Sequence, residues 1–493
     1  MTQPSGNAWL KTGILFFTPI LLVSLFFSNS ASSGFTGFPL DDAWIHQVYA
    51  RNLALRGEWA FNPGQPSGGS TSPLWSVLLS LGYVMHINPV VWSAILGGLS
   101  LWGIGCMTNE ICESWSGKTF SRIPIFGLFL VLEWHLVWSA VSGMETALFL
   151  YLLLRTFWLL RKNTRHYWAA GLMAGAATWV RPEGITFLAP GIFILLLEKE
   201  TNTKRFRFFV QLMTAFLLFF LPYLWFNLTF AGDIWPSTFS AKQAEYISGV
   251  SVPLLIRLGN LVLPFLAGGG AVILPGFAAA LWMAWKKQNI EVMAMALWIA
   301  GMILLYALRL PVNYQHGRYM MPAMGIYYTI GIWGMVEVLD SMVKTRLTWT
   351  IKRTWAIALA AVTAVFLWLG AGAYQTDVAI IETEMVHTAR WIDQNTPSNS
   401  LVAAHDIGAM GYFSNRQIID LAGLVNPEVI PIIRNEPALK DYLDSKAIDY
   451  VVTFPAWYPY MLAGKELIFQ TTTLFAAQAG GENMAVFTWR ENK

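Results

Sequence analysis

Long apolar segments recur along the chain and are separated by short polar loops, a pattern that is typical of polytopic membrane proteins. A helix needs about 20 apolar residues to cross the hydrocarbon core of a bilayer. The segments that meet or approach this length are 12–28, 90–108, 122–140, 144–160, 166–180, 184–198, 207–230, 266–285, 291–308, 318–339 and 354–373. Together they predict about eleven transmembrane helices.

One further apolar segment, Pro73–His86, is too short to cross a bilayer easily, so we predict an interfacial or re-entrant helix there. Loop charge supports this choice, because cytoplasmic loops carry an excess of Lys and Arg. With a cytoplasmic N-terminus, the predicted inner loops hold most of the basic residues, namely Lys118, Arg122, Arg161, Lys162, Arg165, Lys199, Lys204, Arg205, Arg207, Lys286, Lys287, Lys344, Arg346, Lys352 and Arg353. Counting Pro73–His86 as a full crossing would break this pattern. We therefore predict an inner or plasma membrane protein with a cytoplasmic N-terminus and an extracytoplasmic C-terminus.

After Tyr374 the composition becomes that of a small folded domain. Residues 376–394 are predicted to form a helix that leaves the membrane, and Gly, Pro and Asn turns separate several short predicted strands. These strands are Leu401–Ala404, Gln417–Leu421, Asp449–Thr453 and Ala485–Trp489. The predicted fold class is therefore an α-helical polytopic domain, 1–373, whose first outer loop is 29–89, followed by an extracytoplasmic α/β domain, 374–493.

The composition agrees with a lipid environment and excludes some partners. Hydrophobic residues make up 55% of the chain and charged residues only 12%, against about 25% charged residues in soluble domains. The two cysteines, Cys106 and Cys112, exclude a disulfide scaffold and fit no metal-ligand spacing. Acids outnumber bases in the C-terminal domain, so no nucleic-acid partner is expected. Membrane lipid is an expected partner of the apolar segments.

The first outer loop holds the most informative polar residues. Asp41 and Asp42 precede a helical pattern that places Ile45 and Val48 on one face, which predicts an amphipathic helix lying on the membrane. One Asp is explained as a helix N-cap. Two adjacent carboxylates followed by Arg51 also suit a general base or a metal ligand, and both explanations remain open.

Further ionisable residues are predicted on the same membrane side, where they cost free energy and usually serve a function. Each of them has an alternative role as a capping or snorkelling residue. They are Glu145, Arg181, Glu183, Asp233, Lys242, His316 and Arg318.

The order of these motifs resembles the GT-C superfamily of integral membrane glycosyltransferases, which use polyprenyl-phosphate sugars, and in particular its arabinofuranosyltransferase-like branch. The similarity runs through nearly the whole chain. The motifs that carry it are Asp41-Asp-Ala-Trp-Ile, Tyr49-Ala-Arg-Asn-Leu, Phe61-Asn-Pro-Gly, Thr71-Ser-Pro-Leu-Trp, Ser142-Gly-Met-Glu-Thr-Ala-Leu-Phe, Arg181-Pro-Glu-Gly, Gly232-Asp-Ile-Trp-Pro-Ser-Thr-Phe, Gly317-Arg-Tyr and Asp406-Ile-Gly-Ala-Met-Gly-Tyr-Phe. The Gly-Tyr pair usual in the family before Thr-Ser-Pro is here Gly69-Ser70, so no role is carried over to that pair.

The resemblance implies an acidic residue of the first outer loop as catalytic base, and Asp41 or Asp42 matches it, with Asp41 favoured. The implied reaction transfers a pentofuranose or hexose from a polyprenyl-phosphate carrier to a hydroxyl of a glycan, glycolipid or protein. A single displacement would invert the anomeric configuration.

The leaving phosphate carries negative charge, so cations are needed to stabilise it. Arg and Lys provide them, because they form strong hydrogen bonds with phosphate oxygens. The candidate donor-binding residues are Arg318, Lys242 and Arg181, followed by Arg51 and His316.

Glu145 is a further catalytic candidate, and a divalent cation (Mg, Mn or Ca) between Asp42 and Glu145 is a hypothesis of its own. No nucleotide site is expected, because the chain lacks a Gly-rich phosphate fingerprint between a strand and a helix.

Two readings without catalysis compete with this one. A transporter or flippase of lipid-linked sugars would also need polar residues in the membrane domain, although we find no internal repeat of the kind common in transporters. The second alternative without catalysis is an assembly protein with a degenerate site. In the C-terminal domain, His405, Asp406 and Asp420 lie at predicted strand ends, where they either face the cavity or pack a loop.

Overall fold

The computed structural model describes residues 6–119, 122–162 and 165–490. Within these ranges the membrane region consists of helices joined by short loops. They are α1 (Gly6–Ser32), α2 (Asp41–Arg56), α3 (Pro73–Val84), α4 (Pro89–Ser116), α5 (Ile125–Val131), α6 (Trp134–Val141), α7 (Thr146–Leu159), α8 (Tyr167–Val180), α9 (Leu188–Leu197), α10 (Asn202–Phe230), α11 (Ser237–Glu245), α12 (Leu254–Val262), α13 (Gly269–Lys287), α14 (Ile290–Arg309), the single turn α15 (Tyr314–Gly317), α16 (Met321–Ser341) and α17 (Arg346–Ile381).

Several of these helices are long and apolar enough to cross a bilayer, so the chain is a multi-pass membrane protein. Among the described residues five helices meet this criterion, and up to seven do if each of two bent pairs counts as one span. The five are Trp9–Ser32, Pro89–Ser116, Asn202–Phe230, Ile290–Arg309 and Arg346–Asn395. The number of crossings, about eleven from the sequence, stays a prediction.

The apolar segments predicted at 122–140 and 144–160 are divided differently in the structure, into α5, α6 and α7. A carboxylate ends the first segment early, because Glu133 caps α6 by accepting the backbone N–H of His135 at 2.9 Å. The chain then turns by 119° between α6 and α7. Gly143 has a φ of +78° in that turn, a conformation that glycine adopts without steric cost.

Helix α2 does not lie on the membrane as an amphipathic helix, contrary to the sequence prediction. Residues on all its faces are buried, including the polar Gln47 and Asn52 as well as Ile45 and Val48. It packs against α3 and against a helix of the C-terminal domain. An apolar stripe does not distinguish a lipid environment from a protein interior, and here the protein covers the helix.

The C-terminal domain is an α/β unit built on one mixed sheet. Its helices are α18 (His387–Asn395), α19 (Gly408–Phe413), α20 (Glu436–Lys446) and α21 (Leu474–Gln478). The strands in the described residues are β1 (Leu401–Ala404), β2 (Gln417–Asp420), β3 (Tyr450–Thr453), β4 (Leu467–Gln470) and β5 (Ala485–Thr488), in the order β2-β1-β3-β5-β4.

Strand β1 runs parallel to β2 and β3, and β5 runs antiparallel to β3 and β4. Four strands agree with those predicted. The edge strand β4 was missed because it is half exposed and lacks the alternating pattern of a half-buried strand.

Two polar side chains hold the C-terminal domain in place, Glu384 by joining the end of the long helix that leaves the membrane to the rest of the domain and Asn62 by joining the domain to the first outer loop. The buried carboxylate of Glu384 accepts hydrogen bonds from the backbone N–H of Met484 at 2.9 Å and from the hydroxyl of Thr473 at 2.6 Å. On the opposite side, Asn62 of the first outer loop both donates to and accepts from the backbone of Ile418 in β2, at 2.8 and 3.0 Å. Since each buried polar atom is paired, separation would cost its hydrogen bonds.

Candidate active site

A cavity lies between the loop 29–89, the ends of several membrane helices and the loop that follows β2. Its empty space is about 950 Å³, part of which is open to solvent. Apolar residues, including Phe239, Leu305 and Leu310, form part of the wall. The ionisable residues that matter most for its chemistry are Asp42, His46, Glu145, Arg181, Lys242 and Arg318.

One edge of this cavity carries a cluster of opposite charges. The Oδ2 atom of Asp42 accepts from Arg318 at 2.5 Å and from Lys242 at 3.2 Å. The hydroxyl of Tyr319 accepts from the same two cations, each at 3.1 Å. Burial raises the pKa of Asp42, but Lys242 and Arg318 outweigh it and hold that pKa well below the usual value, so Asp42 is ionised at neutral pH.

Arg318 is placed by a strained turn of the backbone. Gln315, His316 and Gly317 have successive φ values of +53°, +60° and +69°, and left-handed conformations cost non-glycine residues of order 1–3 kcal/mol each. The side chain of His316 is held outside the cavity by Asp377, at 2.8 Å. His316 therefore lies where it supports the turn, and it is absent from the residues that line the cavity.

One guanidinium nitrogen of Arg318 is left without a hydrogen bond. The residue is only 4% exposed, and its Nη1 atom is buried without a hydrogen-bond partner among the described residues. An unsatisfied buried donor costs free energy, so such an atom marks a place where a ligand can bind. The neighbouring Lys242 adds a second cation at the same edge.

The two adjacent carboxylates of the first outer loop have different surroundings. Asp41 points to the C-terminal domain, where its two oxygens accept the backbone N–H groups of Gly408 and Ala409 at 2.7 and 2.8 Å. These residues form the first turn of α19, where a carboxylate is favourable. A Cβ at position 408 would overlap the backbone oxygen of Asp41, so this contact requires the glycine.

Arg51 also contacts the C-terminal domain rather than the cavity. Its guanidinium donates to the backbone carbonyls of Tyr412 at 2.8 Å and Gly411 at 3.1 Å, and it lies 4.6 Å from the ring centre of Tyr412. Arg51 is absent from the residues that line the cavity. Asp41 and Arg51 lie about three turns apart on α2, and both fasten that helix to α19.

The cavity wall also carries Glu145, Arg181 and His46, and Arg181 lies 5.4 Å from the ring centre of Tyr319, which also contacts Arg318. Arg181 is engaged by the carboxylate of Glu183 at 3.3 Å and by the hydroxyl of Tyr306 at 3.1 Å, and it faces Glu145 at 3.7 Å. His46 and Glu145 are 3% and 4% exposed. Their Nε2 and Oε2 atoms are 3.8 Å apart.

The residues proposed for a divalent cation do not fit one. In the described part of the chain, no group of three or more His, Cys, Asp or Glu residues is placed to hold a metal ion. Asp42 is already neutralised by Arg318 and Lys242, and Glu145 faces Arg181. A carboxylate that is paired with cations is a poor ligand for another cation, so we derive no step through a metal.

The acids of the C-terminal domain lie close to the cavity without lining it. Asp420 accepts the backbone N–H groups of Ala422 and Val425 at 2.8 and 2.7 Å, so it organises the loop after β2. His405 contacts the hydroxyl of Tyr458 at 2.6 Å and faces Glu245 at 3.6 Å.

Two neighbouring carboxyl groups at the domain contact retain protons more readily than usual. Burial is the main cause that raises the pKa of Asp41 to about 8, and the charge of Asp406 adds to it. Burial likewise raises the pKa of Asp406 to about 6, against the opposing effect of His405. Near neutral pH the pair therefore shares protons rather than carrying two full charges.

We expect the stability of this contact to fall as the pH rises from about 4 to about 8. In that window Asp41 keeps a proton in the folded protein that it releases in the unfolded chain, so the free energy of unfolding decreases as the pH rises. Asp406 adds a smaller decrease, which ends at a pH of about 6. Thermal unfolding followed at several pH values in detergent would measure this decrease in stability. Asp406→Asn should flatten the profile, whereas Asp441→Asn, which removes an exposed carboxylate of the same domain, should not. An unchanged profile for Asp406→Asn would contradict the prediction.

The structure brings together most of the residues that the sequence singled out. Asp42, Glu145, Arg181, Lys242 and Arg318 all line the cavity. Sequence reasoning missed the roles of His46, Tyr306 and Tyr319 there. Tyr319 was within reach, because it ends the Gly317-Arg-Tyr motif. His46 gave no separate signal, since a single histidine on a helix is usually a packed side chain.

Comparisons with known proteins concern the whole chain and the C-terminal domain separately. Residues 372–487 match a family model described as "Domain of unknown function (DUF8728)". No curated protein matches the chain. The structure of ArnT from Cupriavidus metallidurans bound to undecaprenyl phosphate is similar over 98% of both chains, with 12% identity and a TM-score of 0.58.

Two other solved structures are similar. The apo state of the same ArnT has 13% identity and a TM-score of 0.57 over 97% of this chain and 98% of ArnT. Arabinofuranosyltransferase AftD from Mycobacteria gives 14% identity and a TM-score of 0.47, over 99% of this chain and 40% of AftD. The similarity to ArnT confirms the GT-C-like membrane fold that the sequence resemblance implies. The C-terminal α/β region, predicted from the strand pattern, is confirmed by the five-stranded sheet of the described residues.

Proposed function

We propose that this protein is a membrane glycosyltransferase that transfers a sugar from a polyprenyl-phosphate carrier to a hydroxyl acceptor. The observation that carries the proposal is the buried Nη1 of Arg318, which has no hydrogen-bond partner among the described residues and lies beside Lys242 at the edge of a cavity with apolar walls. This pairing suits a ligand with an anionic head and an apolar tail. The fold adds support, since ArnT has been solved with undecaprenyl phosphate bound.

The carrier phosphate is proposed to bind Arg318 and Lys242. Both cations already hold a carboxylate oxygen, that of Asp42, in a geometry that a phosphate oxygen can also adopt. Leu305 and Leu310 at the end of α14 provide apolar contacts for the first isoprene units. Arg181, a third candidate from the sequence, is engaged by other side chains and is proposed to help hold Glu145 instead.

Asp42 is proposed as the general base, in place of Asp41. Asp42 lines the cavity and is ionised, whereas both oxygens of Asp41 are engaged by backbone N–H groups. A phosphate bound to Arg318 and Lys242 competes with Asp42 for both cations. The carboxylate then holds a proton more tightly, so binding of the donor makes Asp42 a stronger base.

In the proposed step, the acceptor O–H bond breaks and its proton passes to Asp42. The acceptor oxygen forms a bond to the anomeric carbon, while the bond from that carbon to the phosphate oxygen breaks. The carrier leaves as a phosphate monoester, whose added charge Arg318 and Lys242 stabilise. A single displacement of this kind inverts the anomeric configuration. The sugar is a pentofuranose or hexose, and the acceptor is a glycan, a glycolipid or a protein hydroxyl.

The reaction is proposed to occur on the outer face of the inner or plasma membrane. The basic residues of the predicted inner loops favour a cytoplasmic N-terminus. With this orientation, the cavity and the C-terminal domain would be extracytoplasmic. A carrier that is already in the bilayer also explains why a nucleotide would not be needed there.

The proposal is tested by giving the purified protein, in nanodiscs, a panel of undecaprenyl-phosphate pentoses and hexoses with an extract of envelope glycans. Mass spectrometry of the co-purified lipid would narrow the panel first. We expect one donor to be converted to undecaprenyl phosphate with transfer of its sugar. Movement of the lipid-linked sugar across a liposome bilayer without release of undecaprenyl phosphate would favour a flippase and overturn the proposal.

A further inference from the structure

His46 and Glu145 face each other across a gap that neither side chain fills. The Nε2 atom of His46 and the Oε2 atom of Glu145 are 3.8 Å apart, which is too long for a direct hydrogen bond. The Oε2 atom is buried and has no hydrogen-bond partner among the described residues. Both residues line the cavity. A single oxygen that lies beside both atoms, in the cavity, can hydrogen-bond to each of them, so the pair suits a bridging polar group.

The carboxylate of Glu145 beside Nε2 favours the tautomer of His46 that carries its proton on Nε2, and the hydrogen bonds of Nδ1 are compatible with that tautomer. Its Nδ1 lies 3.1 Å from the hydroxyl of Ser70 and 3.2 Å from that of Ser76, and these two hydroxyls are 2.9 Å apart. In a chain in which Ser76 donates to Ser70 and Ser70 donates to Nδ1, the imidazole proton lies on Nε2. That proton points toward Glu145, so the neutral imidazole and the carboxylate do not repel each other.

The chemistry of the gap selects a hydroxyl group over other ligands. A phosphate would be repelled by Glu145, and an ammonium group would meet the Nε2–H of His46. A hydroxyl satisfies both sides, because it accepts from Nε2–H and donates to Oε2 at the same time. A bound water has the same hydrogen-bonding capacity, so it is the outcome against which a sugar hydroxyl must be tested.

We propose that His46 and Glu145 together bind one hydroxyl group of a sugar and so contribute to the choice of substrate. This inference rests on the proposed glycosyltransferase function. It adds a hydroxyl subsite in the same cavity as the cations proposed to bind the phosphate. The hydroxyl belongs either to the sugar of the donor or to a sugar acceptor, and the two sources give different results below.

The first arm of the test measures donor recognition. Native mass spectrometry compares the affinity of the protein in nanodiscs for undecaprenyl phosphate with that for the undecaprenyl-phosphate sugar it uses. If the donor supplies the hydroxyl, His46→Leu should lower the preference for the sugar lipid by about 10- to 100-fold, the effect of losing a hydrogen bond in a charged pair. His46→Gln retains an N–H donor and should restore part of that preference.

The second arm measures acceptor recognition with a panel of octyl glycosides. If the acceptor supplies the hydroxyl, His46→Leu should leave donor preference unchanged and raise KM for the glycoside by about 10- to 100-fold, and His46→Gln should again restore part of the loss. His135→Leu is the matched control, because His135 is a buried histidine beside Glu133, 2.8 Å away, and is absent from the residues that line the cavity.

Wild-type donor preference and wild-type KM in His46→Leu would show that only water occupies the gap and would overturn the inference. Equal losses in His135→Leu would also overturn it, because they would point to a general effect of removing a buried histidine. Failure of the wild-type protein to bind either lipid would instead overturn the proposed function. It would then also overturn the proposal that His46 and Glu145 bind a sugar hydroxyl.

Discussion

Asp42→Asn is expected to lower kcat for sugar transfer by about 10²- to 10⁴-fold, the usual contribution of a general base. The amide retains the shape of the side chain but accepts a proton far less readily. The loss of the Asp42 carboxylate also frees Arg318 and Lys242 from their partner. The affinity of the protein for undecaprenyl phosphate should therefore stay the same or increase. Steady-state transfer rates and native mass spectrometry on one preparation would measure both effects.

Asp41→Asn is the matched control, since it changes the adjacent carboxylate that faces α19 instead of the cavity. Above about pH 8, where Asp41 is ionised, it should weaken the contact of the C-terminal domain, seen as a lower unfolding temperature, because an amide accepts only one of the two backbone hydrogen bonds. Near-normal turnover of Asp42→Asn would rule out Asp42 as the base. An inactive Asp41→Asn protein with wild-type stability would return that role to Asp41.

Arg318→Gln is expected to weaken binding of undecaprenyl phosphate by at least about 10²-fold. Each hydrogen bond between charged groups contributes about 1.5–3 kcal/mol, and a guanidinium offers two to a phosphate. Arg318→Lys should recover only part of the affinity, because an ammonium group cannot make the forked contact. Titration of the lipid into nanodisc-embedded protein, at two salt concentrations, would measure the change.

Arg51→Gln removes an arginine that bonds to two backbone carbonyls and lies over a ring of the C-terminal domain. It should lower thermal stability and leave the affinity for undecaprenyl phosphate at the wild-type value. The assignment of the phosphate to Arg318 is wrong if Arg318→Gln binds the lipid normally, or if Arg51→Gln weakens binding to the same extent.

The sequence was most informative where a pattern depends on the solvent. A run of about 20 apolar residues has few alternatives to a membrane helix, because every backbone group must be satisfied inside lipid. Within such runs the breaks were less predictable. Glu133 ends one helix and caps the next, and a carboxylate in an apolar segment could equally have been a residue of a continuous helix.

Local patterns also failed to show what covers a helix. The apolar stripe of α2 predicted contact with lipid, yet the stripe packs against protein and the polar Gln47 and Asn52 are buried with it. The hydrogen bonds of Asn52 go to the backbone of Ala60 and Phe61 in the same loop, at 2.9 and 3.0 Å. Periodicity reports that a face is apolar, and it carries no information about the partner.

The sequence by itself determined that this is a polytopic membrane protein with acids and bases gathered near one side. It also determined that these residues follow the order of a known superfamily. Only the tertiary structure decided which of them meet. Adjacent residues of a helix point about 100° apart, so Asp41 and Asp42 were bound to have different neighbours. Because α2 packs between the cavity and α19, Asp42 contacts the cation Arg318 and Asp41 contacts the C-terminal domain. Lys242 and Arg318 lie 200 and 276 residues beyond Asp42 in the chain, and spacing along a sequence cannot encode a distance that depends on how distant helices pack.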